Sequence, residues 1–294
     1  MDNTEAQRRR EGTLKKTLIV LLLCVSVPLC FSQTLKVDVN LVNIFATVKD
    51  KQGNFVTDLT KDDFRVYEDD QPQEIQIFEK QDKVDSSIGF LMDTSGSMVD
   101  IMPFMKRGIR DFTRVLPKTD EFFVVTFGTS VRLVHTSSQS QKHLEDILTP
   151  LRAFGTSSLF DGLQYGIAKV EKSERPRKAL IVFTDGSDNG STVSYGHVVE
   201  ETQSSAVLLY FVAIGSPVLI DSHTLESLST ISGGRTLYVP KQDAISPVLE
   251  QIRAELAKQY YLAYYAPRRP GFHQLRVEVA GRDVTIRAKT GYSE

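Results

Sequence analysis

The alternation of apolar and polar residues divides the chain into three regions that follow a short first segment. Residues 34–82 alternate between apolar and polar side chains, which predicts β-strands with one buried face. Over residues 84–255, short apolar runs alternate with segments of helical period, which is typical of an α/β domain. Alternation returns over residues 258–294. The pattern therefore predicts a central α/β domain between two β segments.

The central region predicts a doubly wound sheet that is mostly parallel and has helices on both faces. Six apolar runs indicate its strands, near residues 84–92, 121–127, 131–135, 178–184, 207–214 and 236–239. A chain of this kind favours the strand order 3-2-1-4-5-6, in which the first and fourth strands are neighbours. Ligands of such folds bind beyond the carboxyl ends of the strands, at the point where the order reverses.

The two β segments are each too short to bury a good hydrophobic core alone. The ends of a domain usually lie close together, so segments on either side of an inserted domain can meet. We therefore expect residues 34–82 and 258–294 to pack together in one small β-sandwich beside the α/β domain.

Composition and charge argue against two classes of function. The chain has 294 residues, is 41% hydrophobic and has a formal net charge of −2. A nearly neutral chain lacks the strong positive electrostatic field that would indicate a nucleic acid as partner. Its five histidines are scattered and show no spacing typical of a zinc site or of catalysis. We therefore expect neither nucleic-acid binding nor histidine-based catalysis.

Residues 1–32 predict an export signal. A basic region precedes the apolar run Leu18–Phe31, and the small Ser32 suits a cleavage position directly after it. The run has 14 residues, whereas a membrane-spanning helix needs about 20. We expect an exported protein, either periplasmic or secreted. The alternative is that residues 17–31 remain as an uncleaved anchor in the inner membrane.

One stretch of the central region carries candidate metal chemistry. The apolar run of residues 87–92 is followed by Asp93, Ser95 and Ser97, among small residues and a glycine that indicate a loop. These three side chains offer one carboxylate and two hydroxyl oxygens at alternate positions. Oxygen ligands suit hard cations such as Mg²⁺, and no histidine or cysteine lies nearby in the sequence to favour zinc.

Two further segments can complete the set of oxygen ligands. Residues 155–162 contain Thr156 in a loop of small residues just before a predicted helix. Lys178–Thr184 is another apolar run, and it is followed by Asp185 and a glycine. Thr156 can supply a fourth oxygen ligand and Asp185 a fifth.

Together these segments closely resemble the von Willebrand factor type A (VWA) domain, whose signature is a metal-ion-dependent adhesion site. The resemblance covers roughly residues 84–255. It implies five metal ligands, and all five positions match: Asp93, Ser95, Ser97, Thr156 and Asp185. The flanks, including residues 287–292, also resemble those of a bacterial group of exported proteins with this domain.

Two more acidic residues in these loops have open roles. Asp161 either braces the Thr156 loop from a position behind the ligands or is favoured by the positive N-terminal end of its helix. Asp188 either supports the site in the same way or is a solvated loop residue. We favour neither as a direct ligand.

The resemblance implies a binding module rather than an enzyme. It implies one divalent cation, Mg²⁺ before Mn²⁺ or Ca²⁺, that binds an exposed Asp or Glu of a partner protein. An alternative is a Mg²⁺-dependent phosphatase-like hydrolase with an aspartyl nucleophile, but those enzymes show Asp-x-Asp and position 95 is serine. A third reading is a structural scaffold whose metal site has no function. We expect contact with a membrane only if the N-terminal segment is an uncleaved anchor.

Overall fold

The structure is a computed structural model that describes residues 39–80, 84–138, 140–215 and 220–294. The segment predicted to direct export, residues 1–32, lies outside the described residues. None of the helices in the described part of the chain combines the length and the apolar character that a membrane crossing needs.

The first described segment forms four short or medium strands. Their bounds are β1 (Val39–Lys49), β2 (Phe64–Glu68), β3 (Gln71–Gln73) and β4 (Ile77–Glu79). A 3₁₀ turn, Lys61–Asp63, precedes β2.

The central region forms a six-stranded sheet. Its strands are β5 (Ser86–Asp93), β6 (Glu121–Phe127), β7 (Arg132–Thr136), β8 (Arg177–Thr184), β9 (Val207–Ile214) and β10 (Arg235–Val239). Their order is β10-β9-β8-β5-β6-β7, and every neighbouring pair is parallel except β6 with β7. This is the predicted order 3-2-1-4-5-6, and it confirms a doubly wound, mostly parallel sheet.

Helices cover both faces of this sheet. They are α1 (Met102–Arg114), α2 (Gln141–Leu148), α3 (Leu159–Val170), α4 (Tyr195–Ser204), α5 (Ser222–Ser232) and α6 (Ile245–Leu256). Side chains of a strand alternate between faces, so Phe90 joins the core under α1, α2 and α6, while Leu91 joins the core under α3, α4 and α5. All eight residues of β5 are buried because helices cover it on both sides.

The C-terminal segment returns to β-structure and pairs with the first segment. Its strands are β11 (Tyr260–Pro267), β12 (Phe272–Val279), β13 (Thr285–Arg287) and β14 (Gly291–Ser293). Two antiparallel four-stranded sheets result, β13-β1-β11-β4 and β14-β12-β2-β3. Ile44, Phe64 and Tyr260 belong to the core that they share. The structure thus confirms that the two flanks pack together beside the α/β domain.

The sandwich also shares apolar packing with the α/β domain. Phe45 on β1 stacks on Tyr261 of β11, with ring centroids 5.0 Å apart. Both rings belong to the same core cluster as Phe90 and the buried side chains of α1 and α6. The strands β1 and β11 are therefore covered on both faces, by the sandwich core on one side and the α/β domain on the other.

Buried charges join the C-terminal tail to the α/β domain as well. Glu255 on α6 is fully buried and forms ion pairs with Arg287 of β13 and Arg235 of β10. The Tyr210 hydroxyl donates a hydrogen bond to this carboxylate at 2.8 Å. The buried Lys289 amino group donates to two backbone carbonyls at the end of α4. Loss of either side of these contacts would destabilise the fold, because a buried charge without a partner is energetically unfavourable.

Candidate metal centre

Asp93 is the last residue of β5 and lies at the carboxyl edge of the central sheet. Its side chain is fully buried, and its Oδ1 accepts a hydrogen bond from the Ser95 N–H at 2.8 Å. Its Oδ2 accepts hydrogen bonds from the hydroxyls of Ser157 and Thr184, each at 3.0 Å. Burial raises the pKa of the Asp93 carboxyl, and these hydrogen bonds oppose the rise. The carboxylate therefore lies where three segments of the chain meet.

Ser95 and Ser97 follow in the loop after β5, which continues into a 3₁₀ turn. Their hydroxyl oxygens are 3.1 Å apart and form a hydrogen bond. Ser95 is buried whereas Ser97 is exposed. The hydrogen bond from the Ser95 N–H to Asp93 is a local aspartate turn, which fixes the start of this loop. The two hydroxyls thus lie between the buried carboxylate and solvent.

The loop before α3, which carries Thr156, is joined to the loop after β5 by two backbone hydrogen bonds. The Gly96 N–H donates to the Gly155 carbonyl at 3.1 Å, and the Phe154 N–H donates to the Thr94 carbonyl at 2.7 Å. Thr156 itself is exposed. These bonds hold the backbone just before Thr156 against the loop that carries the two serines.

Two glycines allow the loops to approach this closely. Gly155 has φ +79°, a region that favours glycine, and a Cβ on it would lie 2.3 Å from the Thr129 hydroxyl oxygen. Gly190 lies in the loop after β8, and a Cβ on it would lie 2.9 Å from the Thr156 hydroxyl oxygen. A side chain at either position would therefore push neighbouring loops apart.

Asp185 follows β8 and belongs to the third loop of the site. The parallel register pairs Met92 of β5 with Phe183 of β8, so Asp185 lies near the level of Asp93 at the same sheet edge. Its Oδ1 accepts a hydrogen bond from the Ser187 N–H at 3.0 Å, and the residue is half-buried. The two acidic residues of the predicted site therefore lie at the carboxyl ends of two neighbouring parallel strands.

Three residues outside the predicted set hold these loops together: Ser157, Thr184 and Asn189. The Asn189 side-chain oxygen accepts a hydrogen bond from the Ser157 N–H at 2.9 Å, and the Asn189 N–H donates to the Ser157 carbonyl at 3.0 Å. The Thr184 hydroxyl accepts from the Gly186 N–H at 3.0 Å while it donates to Asp93. The sequence offers one indication of the roles of Ser157 and Thr184, since each lies next to a predicted ligand.

Asp161 and Asp188 brace the surroundings of the site. Asp188 Oδ1 accepts hydrogen bonds from the Leu159 N–H at 3.0 Å and from the Ser191 hydroxyl at 2.6 Å. Asp161 Oδ1 accepts from two consecutive backbone N–H groups of the loop after β8, both at 2.9 Å. Both carboxylates therefore tie the start of α3 to the loop that begins with Asp185.

The five predicted residues lie on three loops at the carboxyl edge of the sheet, and their exposure to solvent differs. Asp93 and Ser95 are buried, Asp185 is half-buried, and Ser97 and Thr156 are exposed. Within the described ranges, no ion pair includes either carboxylate. A buried carboxylate that lacks a cationic side chain, next to hydroxyls open to solvent, fits a divalent cation with room for an outside ligand.

A second group of ionisable side chains lies in the sandwich, where Glu68, Asp69 and His273 come close together. The His273 Nδ1 is 2.8 Å from an Asp69 oxygen, and this contact raises the pKa of His273. The buried Glu68 accepts a hydrogen bond from the Tyr264 hydroxyl and pairs with Arg269. These side chains satisfy one another, so the group is a polar network of the sandwich rather than a candidate metal centre.

The sequence profile of the von Willebrand factor type A domain matches residues 87–254, more than half of the chain. The chain belongs to this family. The match runs from β5 to α6 and includes all three loops of the site. VWA domains are in general interaction modules rather than enzymes, and no catalytic family is indicated for this chain. A comparison with curated proteins gives no match.

Solved structures share the VWA fold. A von Willebrand factor type A protein from Catenulispora acidiphila aligns with a TM-score of 0.54 at 14% identity, over 79% of this chain and 73% of that chain. Proximal thread matrix protein 1 from the mussel byssus, in a structure with a zinc-occupied MIDAS motif, aligns with a TM-score of 0.54 at 19% identity. That alignment covers 65% of this chain and 50% of the mussel protein. At such identities the likeness concerns the fold alone.

Proposed function

We propose that this VWA domain is a metal-dependent protein-binding module. Asp93, Asp185 and the hydroxyls of Ser95, Ser97 and Thr156 would hold one divalent cation, Mg²⁺ before Mn²⁺ or Ca²⁺. The two carboxylates offset the charge of the cation and the hydroxyls add none, so a further acidic ligand can still complete its coordination. That ligand would be an Asp or Glu side chain of a partner protein.

The fully buried Asp93 carries this proposal. A carboxylate removed from water is unfavourable unless a positive charge or hydrogen bonds compensate it. Here three hydrogen bonds do so only in part, since burial still raises the pKa of the carboxyl. A cation beside Asp93 would supply the missing compensation. The serine at position 95 supports binding over hydrolysis, because it offers no carboxyl to act as the acid of an aspartyl-phosphate mechanism.

Calorimetric titration of Mg²⁺ tests the metal site. Wild-type protein and Asp93→Ala are compared with Asp111→Ala, which removes a carboxylate from the exposed surface of α1. We expect Mg²⁺ to bind wild type and Asp111→Ala with equal affinity and to bind Asp93→Ala far more weakly. Thermal melts of the metal-free proteins show whether the variants fold. Equal Mg²⁺ affinity of wild type and a folded Asp93→Ala would refute the assignment.

We also propose that the protein is exported, on the sequence features of residues 1–32. N-terminal sequencing of the protein isolated from cells distinguishes the two forms of this proposal. A start at Gln33 supports cleavage and a periplasmic or secreted protein. A start at Met1 favours the anchor formed by residues 17–31.

A further inference from the structure

Two exposed apolar side chains lie on the loops that carry the predicted ligands Ser97 and Thr156. Phe154 is two residues before Thr156 and is 69% exposed, the largest value for a bulky apolar side chain among the described residues. Val99 is two residues after Ser97 and is 55% exposed. The two loops that carry them are joined by the backbone hydrogen bonds at Thr94 and Gly155.

Phe154 is exposed although its loop is firmly held. Its N–H donates to the Thr94 carbonyl at 2.7 Å. On the other side, the Lys106 amino group reaches from α1 and donates to the carbonyls of Thr149 and Leu151, at 3.1 Å and 2.8 Å. The backbone before the ring is therefore held by α1, and the backbone at Phe154 and Gly155 is held by the loop that carries Ser95 and Ser97. Exposure of the ring is a built feature of this edge rather than a consequence of a loose loop.

We propose that Phe154 and Val99 form an apolar rim that binds a large apolar side chain next to the acidic residue of the partner. This inference rests on the proposed function, because the cation defines where the acidic residue binds. One carboxylate–cation contact at a solvated edge gives limited affinity, whereas aromatic anchors that become buried supply much of the affinity of protein interfaces. The partner segment is thus an Asp or Glu flanked by residues such as Leu, rather than an acidic run.

The rim should make a measurable difference to affinity. Complete burial of a phenylalanine side chain changes a binding constant by about ten- to a hundred-fold. Phe154 as a whole residue is 69% exposed, so most of its surface can become buried on binding. We therefore expect Phe154→Ala to weaken binding of an apolar-flanked acidic segment by roughly ten-fold. Mg²⁺ affinity should stay unchanged, because the ring supplies no oxygen ligand.

Labelled peptides test this rim by fluorescence anisotropy in saturating Mg²⁺. The three peptides are blocked at both ends and have the sequences Gly-Leu-Glu-Leu-Gly, Gly-Gly-Glu-Gly-Gly and Gly-Leu-Gln-Leu-Gly. Full-length wild type and Phe154→Ala are compared with Phe272→Ala, which removes a similarly exposed ring, 51%, from the sandwich. Calorimetry of Mg²⁺ alone is run on each protein.

We expect wild type and Phe272→Ala to prefer the leucine-flanked glutamate peptide over the glycine-flanked one by about ten-fold. Phe154→Ala should lose this preference. The glutamine peptide should bind to none of the three proteins. Equal binding of the two glutamate peptides by wild type, or an unchanged preference in Phe154→Ala, would overturn the rim while Mg²⁺ binding stands. Failure of the leucine-flanked glutamate peptide to bind a Mg²⁺-loaded wild type also overturns it. Absence of Mg²⁺ binding by wild type overturns the proposed function itself, and the rim with it.

Discussion

Replacement of Gly190 by alanine tests whether Thr156 is a metal ligand. A Cβ at this position would lie 2.9 Å from the hydroxyl oxygens of both Thr156 and Ser158 and 3.2 Å from the Ser157 carbonyl oxygen, whereas ordinary contacts of a Cβ begin at 3.4 Å. Gly190 is not among the glycines with positive φ, so alanine adds no backbone strain there. The methyl group must instead displace the hydroxyls of Thr156 and Ser158, each by about half an ångström.

The size of this displacement sets the expected loss of affinity. Ligand distances in metal sites hold to within about 0.2 Å, so a shift of half an ångström disturbs the coordination by Thr156. Both carboxylates of the predicted site remain. We therefore expect Gly190→Ala to lower Mg²⁺ affinity by about 10- to 100-fold, which is the usual effect of mutating a residue that orients a metal ligand. The extra methyl should also lower the free energy of unfolding by about 1–3 kcal/mol.

The matched control is Gly196→Ala on α4. A Cβ there meets only the Ser194 hydroxyl oxygen, at 4.0 Å, so the substitution leaves the site undisturbed. Titration calorimetry gives the Mg²⁺ affinity of both variants, and urea unfolding gives their stability. Gly196→Ala should bind Mg²⁺ as wild type does. If folded Gly190→Ala also bound Mg²⁺ with wild-type affinity, the assignment of Thr156 as a ligand would be refuted.

Asp185→Ala should reduce Mg²⁺ affinity more than Ser97→Ala in calorimetry, because only the first removes a charged ligand. Glu255→Ala should lower the free energy of unfolding in urea by about 3–5 kcal/mol, because two arginines lose their buried partner. Burial lowers the pKa of Lys289 to about 8, so the unfolded chain holds this proton more tightly. Wild type should therefore gain stability relative to Lys289→Met between pH 8 and 10.5. Equal Mg²⁺ affinities, an unchanged urea midpoint or parallel pH profiles would contradict the respective expectation.

The central sheet and the position of its two acidic residues follow from sequence pattern. The central runs of β5, β8 and β9 (residues 88–92, 179–183 and 207–214) lack charged residues because helices cover both faces of the sheet, and such runs are readily recognised. The strand order then places Asp93 and Asp185 at one edge. Prediction succeeds here because a regular period and a known winding direction constrain the topology.

Contacts between loops could not be predicted in the same way. Asp93 receives hydrogen bonds from Ser157 and Thr184, which are 64 and 91 residues away in the sequence. Such contacts depend on side-chain directions that exist only after the loops have packed. Likewise, a period of two predicts one buried face for β11, yet Tyr260 and Tyr261 are both buried. The second face is covered by the α/β domain, which local pattern does not reveal.

The placement of β5 has a mechanical consequence. The strand begins at Ser86, opposite Arg177, whose guanidinium lies 5.5 Å from the centre of the Phe45 ring in the sandwich. It ends at Asp93, the fully buried carboxylate of the candidate metal centre. Tension between a bound partner and the sandwich would therefore act along the length of β5. The parallel ladders to β6 and β8 would share that load in shear along their whole length, instead of opening one hydrogen bond at a time.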